Sequence, residues 1–435
     1  MIKIGLCGLG TVGKSFVEHI DESYNLIKNK IGIDFEITAI ADRSIKNKKY
    51  KDGINITEDA MSLVNIKDID VIVELIGNVD LSYDLLKQSI KNKKHVITAN
   101  KALIAKHGGE LFSLASKHNV FIGFEASVAG AIPIIQTISA NFSNERITSI
   151  AGIINGTSNF ILHKMSNSNC DLQFALTEAQ KLGYAEADPS FDINGTDAAH
   201  KISILAALAF GIKPPLEQTD IEGIESITNM DISYTKELGY IIKHVGVTEI
   251  SDDVVTVSVH PVLVANNNIF SQVPNEMNAI VVKGERFGQT MLYGHGAGGN
   301  ATASAVISDL VSAINFINYS KSSYTQMVKT VGKKSYDIGS IENTQSQYYL
   351  RISADDVPGV MAEITNKLAE KEISIEAVTQ HEPTDASSPI PIVIITNNVR
   401  HLLIKKIIKD IEKMENIKDK VCLLYTSDAA DERSS

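Results

Sequence analysis

Residues 183–201, GYAEADPSFDINGTDAAHK, contain the side chains of this sequence that are best suited to proton transfer. Four carboxylates precede one lysine in this segment: Glu186, Asp188, Asp192, Asp197 and Lys201. The apolar run that follows, Ile202 to Phe210, predicts a buried helix, so the lysine would lie at the edge of a core. A lysine in that position can shuttle a proton, while nearby carboxylates can bind the ammonium group of a small zwitterionic substrate.

The same spacing also fits a purely structural role. Asp197 and Lys201 are four residues apart, which on a helix allows an ordinary surface ion pair worth roughly 0.2–0.5 kcal/mol. Ion-pair networks also gather carboxylates around lysines without any catalytic purpose. Spacing alone therefore supports a catalytic pocket and a salt-bridged helix start equally, and it gives Asp188 no role beyond shaping the turn before Pro189.

A glycine-rich turn near the N-terminus predicts a nucleotide site. The turn directly follows the apolar run Ile2 to Cys7 and precedes a helical stretch. Its glycines would permit a tight turn and bring backbone N–H groups close to a pyrophosphate, although a turn kept only for packing has the same pattern. The turn comprises Gly8, Leu9, Gly10, Thr11, Val12 and Gly13.

The end of the next strand bears on the choice of nucleotide. Asp42 could bind the 2′-hydroxyl of NAD, whereas Arg43 could pair with the 2′-phosphate of NADP. Because the two residues point to opposite cofactors, we expect NADP or dual use.

Three loops add candidate ligands. Lys101 follows a strand, where it could contact the cofactor or be an ordinary solvated lysine. Glu125 begins the small-residue loop EASVAGAIP, and it could help to hold a hard cation or cap the following helix. Gly156 and Thr157, in NGTSNF, could bind a substrate carboxylate at a helix N-terminus or simply form a cap.

Composition narrows the class of protein. A chain of 435 residues predicts two to four domains, and a net charge of −11 argues against nucleic acid or an anionic membrane as a partner. The longest apolar helical run that we identify, Ile202 to Phe210, is too short to span a bilayer. The start MIKIGLCGLG lacks signal-peptide features, so we expect a cytoplasmic protein. Three cysteines at unrelated spacings predict neither disulfides nor a zinc site: Cys7, Cys170 and Cys422.

The elements around these residues predict an α/β protein with three units. Strands alternating with helices over 1–130, completed by a helix at 296–320, predict a parallel sheet covered on both faces. Residues 131–295 predict an α+β unit, 321–346 a linker, and 347–421 a third unit with the order βαββα.

Taken together, these motifs resemble homoserine dehydrogenase over nearly the whole chain. They occur in the family's order, and the 183–201 segment is the most specific of them: GLGTVG, TANKALIAKHG, EASVAGAIPI, GIINGTSNFIL, GYAEADPSFDINGTDAAHK and YGHGAGGNATASAVISDL. The resemblance implies a Rossmann nucleotide-binding domain followed by a substrate and dimerisation domain. It also implies NAD(P)-dependent interconversion of L-aspartate 4-semialdehyde and L-homoserine, within threonine, methionine and isoleucine biosynthesis.

The resemblance also implies roles for individual residues. Lys201 would be the acid/base residue that protonates the alkoxide, with Glu186 and Asp192 binding homoserine and Asp197 beside the lysine. Lys101 would lie at the cofactor and substrate, and Gly298 would return to the nucleotide from the far side. A sodium site is implied at Glu125, Val128, Gly130 and Ile132. Asn300 departs from a proline that is frequent in the family, which affects only the rigidity of that loop.

The third unit resembles an ACT domain, a ferredoxin-like fold, through Asp356, Pro358, Gly359 and Val360. Such domains commonly bind amino acids between paired subunits. The resemblance therefore implies threonine as an effector and a homodimer or homotetramer.

The last fourteen residues, 422–435, resemble the translation of a sequencing-library adapter. We therefore expect the native frame to end near Val421 and the final strand of the third unit to be missing.

Two other functions remain open from the sequence. One is an amino-acid sensor whose dehydrogenase core is inactive, which the intact Glu186, Asp192 and Lys201 set argues against. The other is a phosphorylating semialdehyde dehydrogenase, which needs a nucleophilic cysteine. Cys170 lacks an obvious activating neighbour for that role.

Overall fold

The computed structural model describes residues 1–44, 53–319, 331–381 and 389–426. Its N-terminal unit is a six-stranded sheet in the order β3-β2-β1-β4-β5-β6, with every pair parallel. This is the strand order of a doubly wound nucleotide-binding fold. The strands are β1 (Ile2–Cys7), β2 (Phe35–Ala41), β3 (Asn55–Thr57), β4 (Val71–Glu74), β5 (His95–Thr98) and β6 (Ile122–Gly123).

Helices cover the parallel sheet and begin at short polar caps. Asn78 and Asn100 each accept a backbone N–H at the start of a helix, which places both helix starts beside the carboxyl edge of the sheet. The helices are α1 (Thr11–Ile31), α2 (Ala60–Val64), α3 (Val79–Lys91) and α4 (Lys101–His118).

The second unit is α+β. Its helices are α5 (Ile134–Gln136), α6 (Gly156–Ser168), α7 (Leu172–Leu182), α8 (Ser190–Ile193), α9 (Thr196–Phe210) and α10 (Asn229–Glu237). Its strands are β7 (Ile147–Ile153), β8 (Asp220–Ile221), β9 (Tyr240–Ser251), β10 (Val254–Ala265), β11 (Met277–Gly284) and β12 (Gly288–His295). Helix α9 packs against β9 and β10, so its apolar residues are buried as the sequence predicts.

Helix α11 (Gly299–Tyr319) returns to the first unit and packs along α1, where the sequence predicts a completing helix at 296–320. It is long and apolar enough to cross a membrane by length and composition, and half of its most apolar window is buried inside the protein. This corrects the choice of Ile202 to Phe210 as the longest apolar helical run. The helix is apolar because small residues such as Ala303 and Ala305 pack in the core.

The third unit follows. Its strands are β13 (Asp337–Ile338), β14 (Gln345–Ser346), β15 (Tyr348–Ala354), β16 (Ile375–Gln380), β17 (Ile390–Thr396), β18 (Val399–Arg400) and β19 (Cys422–Thr426). Its helices are α12 (Val360–Ala369) and α13 (His401–Ile411). The order β15-α12-β16-β17-α13 matches the predicted βαββα pattern.

The expected loss of a final strand is corrected. Cys422–Thr426 forms β19, which pairs antiparallel with β15 and parallel with β10. Four of its five residues are buried, Leu424 and Tyr425 among them, which allows it to fill this position. Residues 427–435 of the proposed tail lie outside the described residues, and the adapter origin stays a prediction.

Strand β19 joins the second and third units into one sheet. The order is β12-β11-β7-β9-β10-β19-β15-β17-β16, with β8 and β13 also paired to β10. The predicted linker, 321–346, contributes to this junction: β13 pairs with β10, and β14 pairs with β18. Its described part, from residue 331, is thus bound to both units through the strand pairing of Asp337–Ile338 and Gln345–Ser346. Residues 321–330 lie outside the described residues.

Candidate active site

Lys201 lies in the second turn of α9, which begins after Gly195 in a left-handed conformation (φ 87°). Only 8% of the residue is exposed. Its Nζ donates to the carbonyl oxygen of Ile154 at 2.7 Å and to Oδ2 of Asp197 at 2.7 Å. The surface ion pair weighed from the spacing is therefore wrong, because both partners are buried. An ammonium has three donors, so these two contacts leave one for the adjoining cavity.

Asp197 joins two lysines. Its Oδ1 lies 3.0 Å from Nζ of Lys101, and its Oδ2 accepts from Lys201. Burial alone would raise the pKa of Asp197, but the charges of Lys201 and Lys101 outweigh it and hold that pKa below its ordinary value. Burial lowers the pKa of Lys101, and the facing carboxylates, Asp197 foremost, raise it above its ordinary value. The carboxylate therefore stays ionised and holds two ammonium groups toward the same space.

Asn155 organises the acidic groups, a role that sequence reasoning missed. Its Oδ1 accepts from the backbone N–H of Ser158 and so caps α6. Its Nδ2 donates to Oδ1 of Asp192 and to Oδ2 of Asp197, each at 2.8 Å. The asparagine at the cap was visible in the sequence, but its second pair of contacts depends on the approach of α8 and α9.

The predicted substrate residues meet around one cavity of about 670 Å³. Glu186 is exposed at its rim, and Asp192 is half-buried in its wall. Burial raises the pKa of Asp192, and the neighbouring charge of Asp197 adds to the effect. The wall also contains residues that sequence reasoning did not select, including Tyr184, Glu276 and His295. Asp188 has the predicted turn role: its Oδ1 accepts from the backbone N–H of Ser190.

Gly156 and Thr157 also line the cavity, at the start of α6. A side chain at Gly156 would clash with the carbonyl oxygen of Glu276, which explains the need for glycine there. The Thr157 hydroxyl donates to the carbonyl oxygen of Tyr184 at 2.6 Å. That contact holds the 183–186 loop against α6.

A second cavity of about 370 Å³ extends the first toward the parallel sheet. The two share Val12, Ala99 and Lys101 in their walls. Gly8 has a φ of 101°, and a side chain there would meet the carbonyl of Leu75, while Gly10 faces open space. The turn therefore leaves room for a pyrophosphate at the start of α1, as the dinucleotide pattern requires.

The remaining turn residues are divided between packing and the cavity. Gly13 abuts the carbonyl oxygen of Gly8, so that any side chain would clash, and Thr11 packs beside Gly299 at the start of α11. Gly298 lines the larger cavity with Gly296, and its contact with the nucleotide stays a prediction.

At the end of β2, the carboxylate of Asp42 is occupied by contacts within the chain. Asp42 accepts the backbone N–H of Leu9 at 2.7 Å, and its other oxygen accepts from Ser44. Its carboxylate thus stabilises the glycine turn itself. Arg43 is exposed and lines neither cavity.

Glu125 has a clear structural function. Its two carboxylate oxygens accept the backbone N–H groups of Ile135 and Gln136, each at 2.8 Å, so the residue caps α5. Burial raises the pKa of Glu125 to about 7. No group of three His, Cys, Asp or Glu side chains suited to a metal occurs in 1–44, 53–319, 331–381 or 389–426. A cation at this loop would therefore depend on backbone carbonyl groups.

Comparison with known proteins agrees with the geometry. A family model described as the NAD-binding domain of homoserine dehydrogenase matches residues 8–125, and the homoserine dehydrogenase model matches 133–311. An ACT domain model matches 348–416. The homoserine dehydrogenase of Pseudomonas aeruginosa is 40% identical over 418 residues, covering 96% of each chain.

The chain belongs to the homoserine dehydrogenase family.

Solved structures of the family have the same fold. The homoserine dehydrogenase of Thiobacillus denitrificans matches with a TM-score of 0.92 and 38% identity over 98% of each chain. A hyperthermophilic archaeal homoserine dehydrogenase in complex with NADPH matches with a TM-score of 0.62 and 29% identity, over 72% of this chain and 97% of that one. The Rossmann, substrate-binding and ACT units predicted from the sequence are thereby confirmed.

The family assignment disfavours both alternative functions. An inactive core does not fit a chain that retains Lys201, Asp197 and Lys101 in contact. Cys170 lines neither of the two cavities, and burial raises the pKa of its thiol, which opposes nucleophilic activity.

Proposed function

We propose that this protein interconverts L-homoserine and L-aspartate 4-semialdehyde with a nicotinamide cofactor. The observation that carries this proposal is the buried Asp197 carboxylate, which holds Lys201 and Lys101 at a cavity that continues to the glycine turn. A bound nicotinamide would supply or accept the hydride. The residues of the chain orient the amino acid and move one proton.

The proton step belongs to Lys201. In the reductive direction its ammonium would donate a proton to the alkoxide formed at the former aldehyde carbon, and in the oxidative direction the neutral amine would take it back. Lys201 is held by Asp197 and by the Ile154 carbonyl, so its third N–H is the one directed to substrate. Glu186 and Asp192 would bind the substrate ammonium, because both line the cavity and carry no lysine partner closer than 4 Å within the described residues.

A steady-state assay with L-homoserine and either NAD⁺ or NADP⁺ tests the reaction. We expect reduced cofactor to form only when homoserine is present, and aspartate semialdehyde to be consumed in the reverse direction. Absence of turnover in both directions with both cofactors would overturn the proposal.

We infer that the enzyme uses NADP, either alone or together with NAD. The carboxylate of Asp42 already accepts hydrogen bonds from Leu9 and Ser44. The next residue, Arg43, is exposed and is therefore our candidate to bind a 2′-phosphate. The archaeal relative with NADPH supports the choice. Arg43→Ala should raise KM for NADP⁺ at least tenfold and leave KM for NAD⁺ unchanged, since a charged phosphate contact is worth about 1.5–3 kcal/mol. Lys30→Ala, at the far end of α1, is the matched control.

We also propose feedback control by threonine through the ACT unit, a cytoplasmic location, and assembly into homodimers or homotetramers. The continuous sheet across β19 supports regulation, since it links the ACT unit directly to the catalytic unit. Inhibition of homoserine oxidation by L-threonine tests the first point, and light scattering of the purified chain tests the assembly. Homoserine oxidation that L-threonine does not inhibit would contradict the proposed threonine control.

We propose a sodium site at the loop 125–132. The side chain of Glu125 is committed to α5, so Na⁺ would bind only the carbonyl oxygens of Glu125, Val128, Gly130 and Ile132. Replacing Na⁺ with choline during thermal unfolding should lower Tm. An unchanged Tm would exclude a resident sodium ion.

A further inference from the structure

Glu276 is a carboxylate of the active-site cavity that has no role in the reaction proposed above. It lies just before β11, its side chain is 25% exposed, and it lines the larger cavity together with Lys101 and Lys201. Among the described residues no group donates a hydrogen bond to its carboxylate, and the basic nitrogen found within 4.0 Å is Nδ1 of His295. The charge of Glu276 is therefore available to a molecule in the cavity.

The start of α6 holds three segments that each carry a cavity carboxylate. Its cap, Asn155, donates to Asp192, and its second residue holds the 183–186 loop, which ends in a glutamate. Its first residue is Gly156, where a side chain would meet the carbonyl oxygen of Glu276. Three carboxylates without a lysine partner within 4 Å in the described part of the chain therefore surround the same helix start.

The balance of charge in the cavity favours a ligand with a positive group. Two lysines line the cavity against four carboxylates, and one of these carboxylates, Asp197, already binds both lysines. The remaining carboxylates repel an anion that lacks a compensating cation, whereas they attract the ammonium group of a zwitterion. The cavity can therefore distinguish an amino acid from the same molecule without its amino group.

A fully buried lysine holds the segment that carries Glu276. Lys243, in β9, is 0% exposed, and no carboxylate of the described residues offsets its burial, which lowers its pKa to about 8. Its Nζ donates to the carbonyl oxygen of Val273 at 2.5 Å and to Oδ1 of Asn159 at 3.0 Å. Nδ2 of Asn159 lies within 3.3 Å of three carbonyl oxygens in the segment 273–277. The ammonium and the amide together fix the backbone on both sides of Glu276.

We propose that Glu276 is a substrate-binding residue that selects the ammonium group of homoserine, and that Lys243 is the positioning residue that holds it at the cavity. The assignment rests on the reaction proposed above and adds a specificity-determining contact to it. Lys243 does not line the cavity, so it acts through Asn159 and the backbone of 273–277.

Steady-state kinetics with L-homoserine, and with 4-hydroxybutanoate as a competitive inhibitor, test the contact of Glu276. The inhibitor has the carbon chain, hydroxyl and carboxylate of homoserine without the amino group. Glu276→Gln should raise KM for homoserine roughly tenfold, since a charged hydrogen bond is lost at a partly exposed site, and leave KM for the cofactor unchanged. The Ki of 4-hydroxybutanoate should stay the same or fall, because a negative charge has been removed.

Glu285→Gln is the matched control for Glu276→Gln, because Glu285 is close in sequence, is exposed and lines neither of the two active-site cavities. We expect this control to have the KM and Ki of the wild type. An unchanged KM for homoserine in Glu276→Gln, or a KM and a Ki that rise together, would overturn the role of Glu276.

Lys243→Met tests the positioning role against a purely structural one. Lys94→Met is the matched control: Lys94 is 5% exposed and donates to the carbonyl oxygens of Ile66 and Ile69, in a turn that lines neither active-site cavity. Both variants should have a lower Tm, but only Lys243→Met should raise KM for homoserine, and it should add little to that of Glu276→Gln. Equal KM values for the two lysine variants, or a rise that does not depend on Glu276, would overturn the role of Lys243.

Asn159→Asp takes the place of Lys243→Met if the latter does not fold. The new carboxylate pairs with Lys243 but cannot donate to the carbonyl oxygens of 273–277, so we expect the same rise in KM. Absence of homoserine oxidation by the wild-type protein would overturn the proposed reaction itself. An active wild-type enzyme together with variants of unchanged KM would overturn only the roles of Glu276 and Lys243.

Discussion

Two buried aspartates in this protein bind cationic side chains, one of them beside a cavity and the other enclosed by protein. Asp197 binds Lys201 and Lys101 beside a cavity, and one donor of Lys201 is unused by the chain. Asp231, in α10, binds Arg351 of the ACT unit at 2.6 Å and also accepts from Tyr349 and Thr228. The second aspartate is enclosed by protein on all sides and is 0% exposed.

The surroundings of the two aspartates distinguish a buried ion pair that can act on a substrate from one that only stabilises the fold. Both carboxylates are removed from water, and both are compensated by cations and hydrogen bonds. At Asp231 every strong contact is internal, so the pair holds the ACT unit to α10. At Asp197 the lysine has a donor left and a cavity to direct it into, so the pair can act on a substrate.

The largest expected effect is on the proton donor. Lys201→Met should lower kcat about 10²–10⁴-fold, the usual range for a lost general acid, while cofactor Kd changes little. Steady-state kinetics and a fluorescence titration with reduced cofactor measure the two quantities. Because Asp197 would keep Lys101 and Asn155 as partners, Tm should remain close to that of the wild type. Near-normal turnover would show that Lys201 is not the proton donor.

At the other aspartate the effect should be on stability alone. Arg351→Met leaves the buried Asp231 charge without its cation, which costs about 3–5 kcal/mol. Thermal unfolding should show a clear fall in Tm, with kcat per folded molecule unchanged at low temperature. Arg146→Met is the control: it removes an exposed pair with Glu285 and should cost no more than about 1 kcal/mol. Equal shifts in both variants would contradict the distinction.

Acid should affect the two regions differently. Burial lowers the pKa of His260 to about 3 and of His401 to about 4, both at the junction of the units. Between pH 6.5 and 4 the unfolded chain binds protons that these folded imidazoles do not, so the free energy of unfolding falls as pH decreases. Asp197 has a lowered pKa and stays ionised over this range, so this carboxylate adds no loss there.

A variant tests this pH dependence. His260→Phe keeps the stacking on Tyr425 and removes the titrating group. Between pH 7 and pH 4.5 its free energy of unfolding should therefore fall by about 2 kcal/mol less than that of the wild type. Thermal unfolding of both proteins at the two pH values measures the difference. A pH dependence identical to that of the wild type would show that His260 does not titrate on unfolding.

The smallest effect is expected at the residue that orients the carboxylates. Asn155→Ser keeps a good helix cap but loses the amide that bridges Asp192 and Asp197, so kcat/KM should fall about tenfold, in keeping with about 1.4 kcal/mol for lost hydrogen bonds. Tm should change by no more than a degree or two. A large fall in Tm with unchanged kcat/KM would make Asn155 a structural residue only.

Local patterns predicted most of the fold and part of the site. Glycine spacing after a buried strand identified the nucleotide turn, and the apolar run after Lys201 identified α9, because both signals depend only on near neighbours in the chain. The double contact of Asn155 and the presence of Glu276 in the cavity wall depend on segments distant in sequence. Strand β19 was missed because its sequence resembled an artefact, whereas its pairing depends on β10 and β15.

A double-mutant cycle on kcat with Asp197→Asn and Lys201→Met tests the central claim, that Asp197 acts through Lys201, most directly. The claim predicts strong non-additivity: Asp197→Asn should reduce kcat at least tenfold in the wild-type protein and have a much smaller effect, through Lys101 alone, when Lys201 is already methionine. Equal losses from Asp197→Asn in both backgrounds would show that the aspartate acts independently of the lysine and would contradict the account.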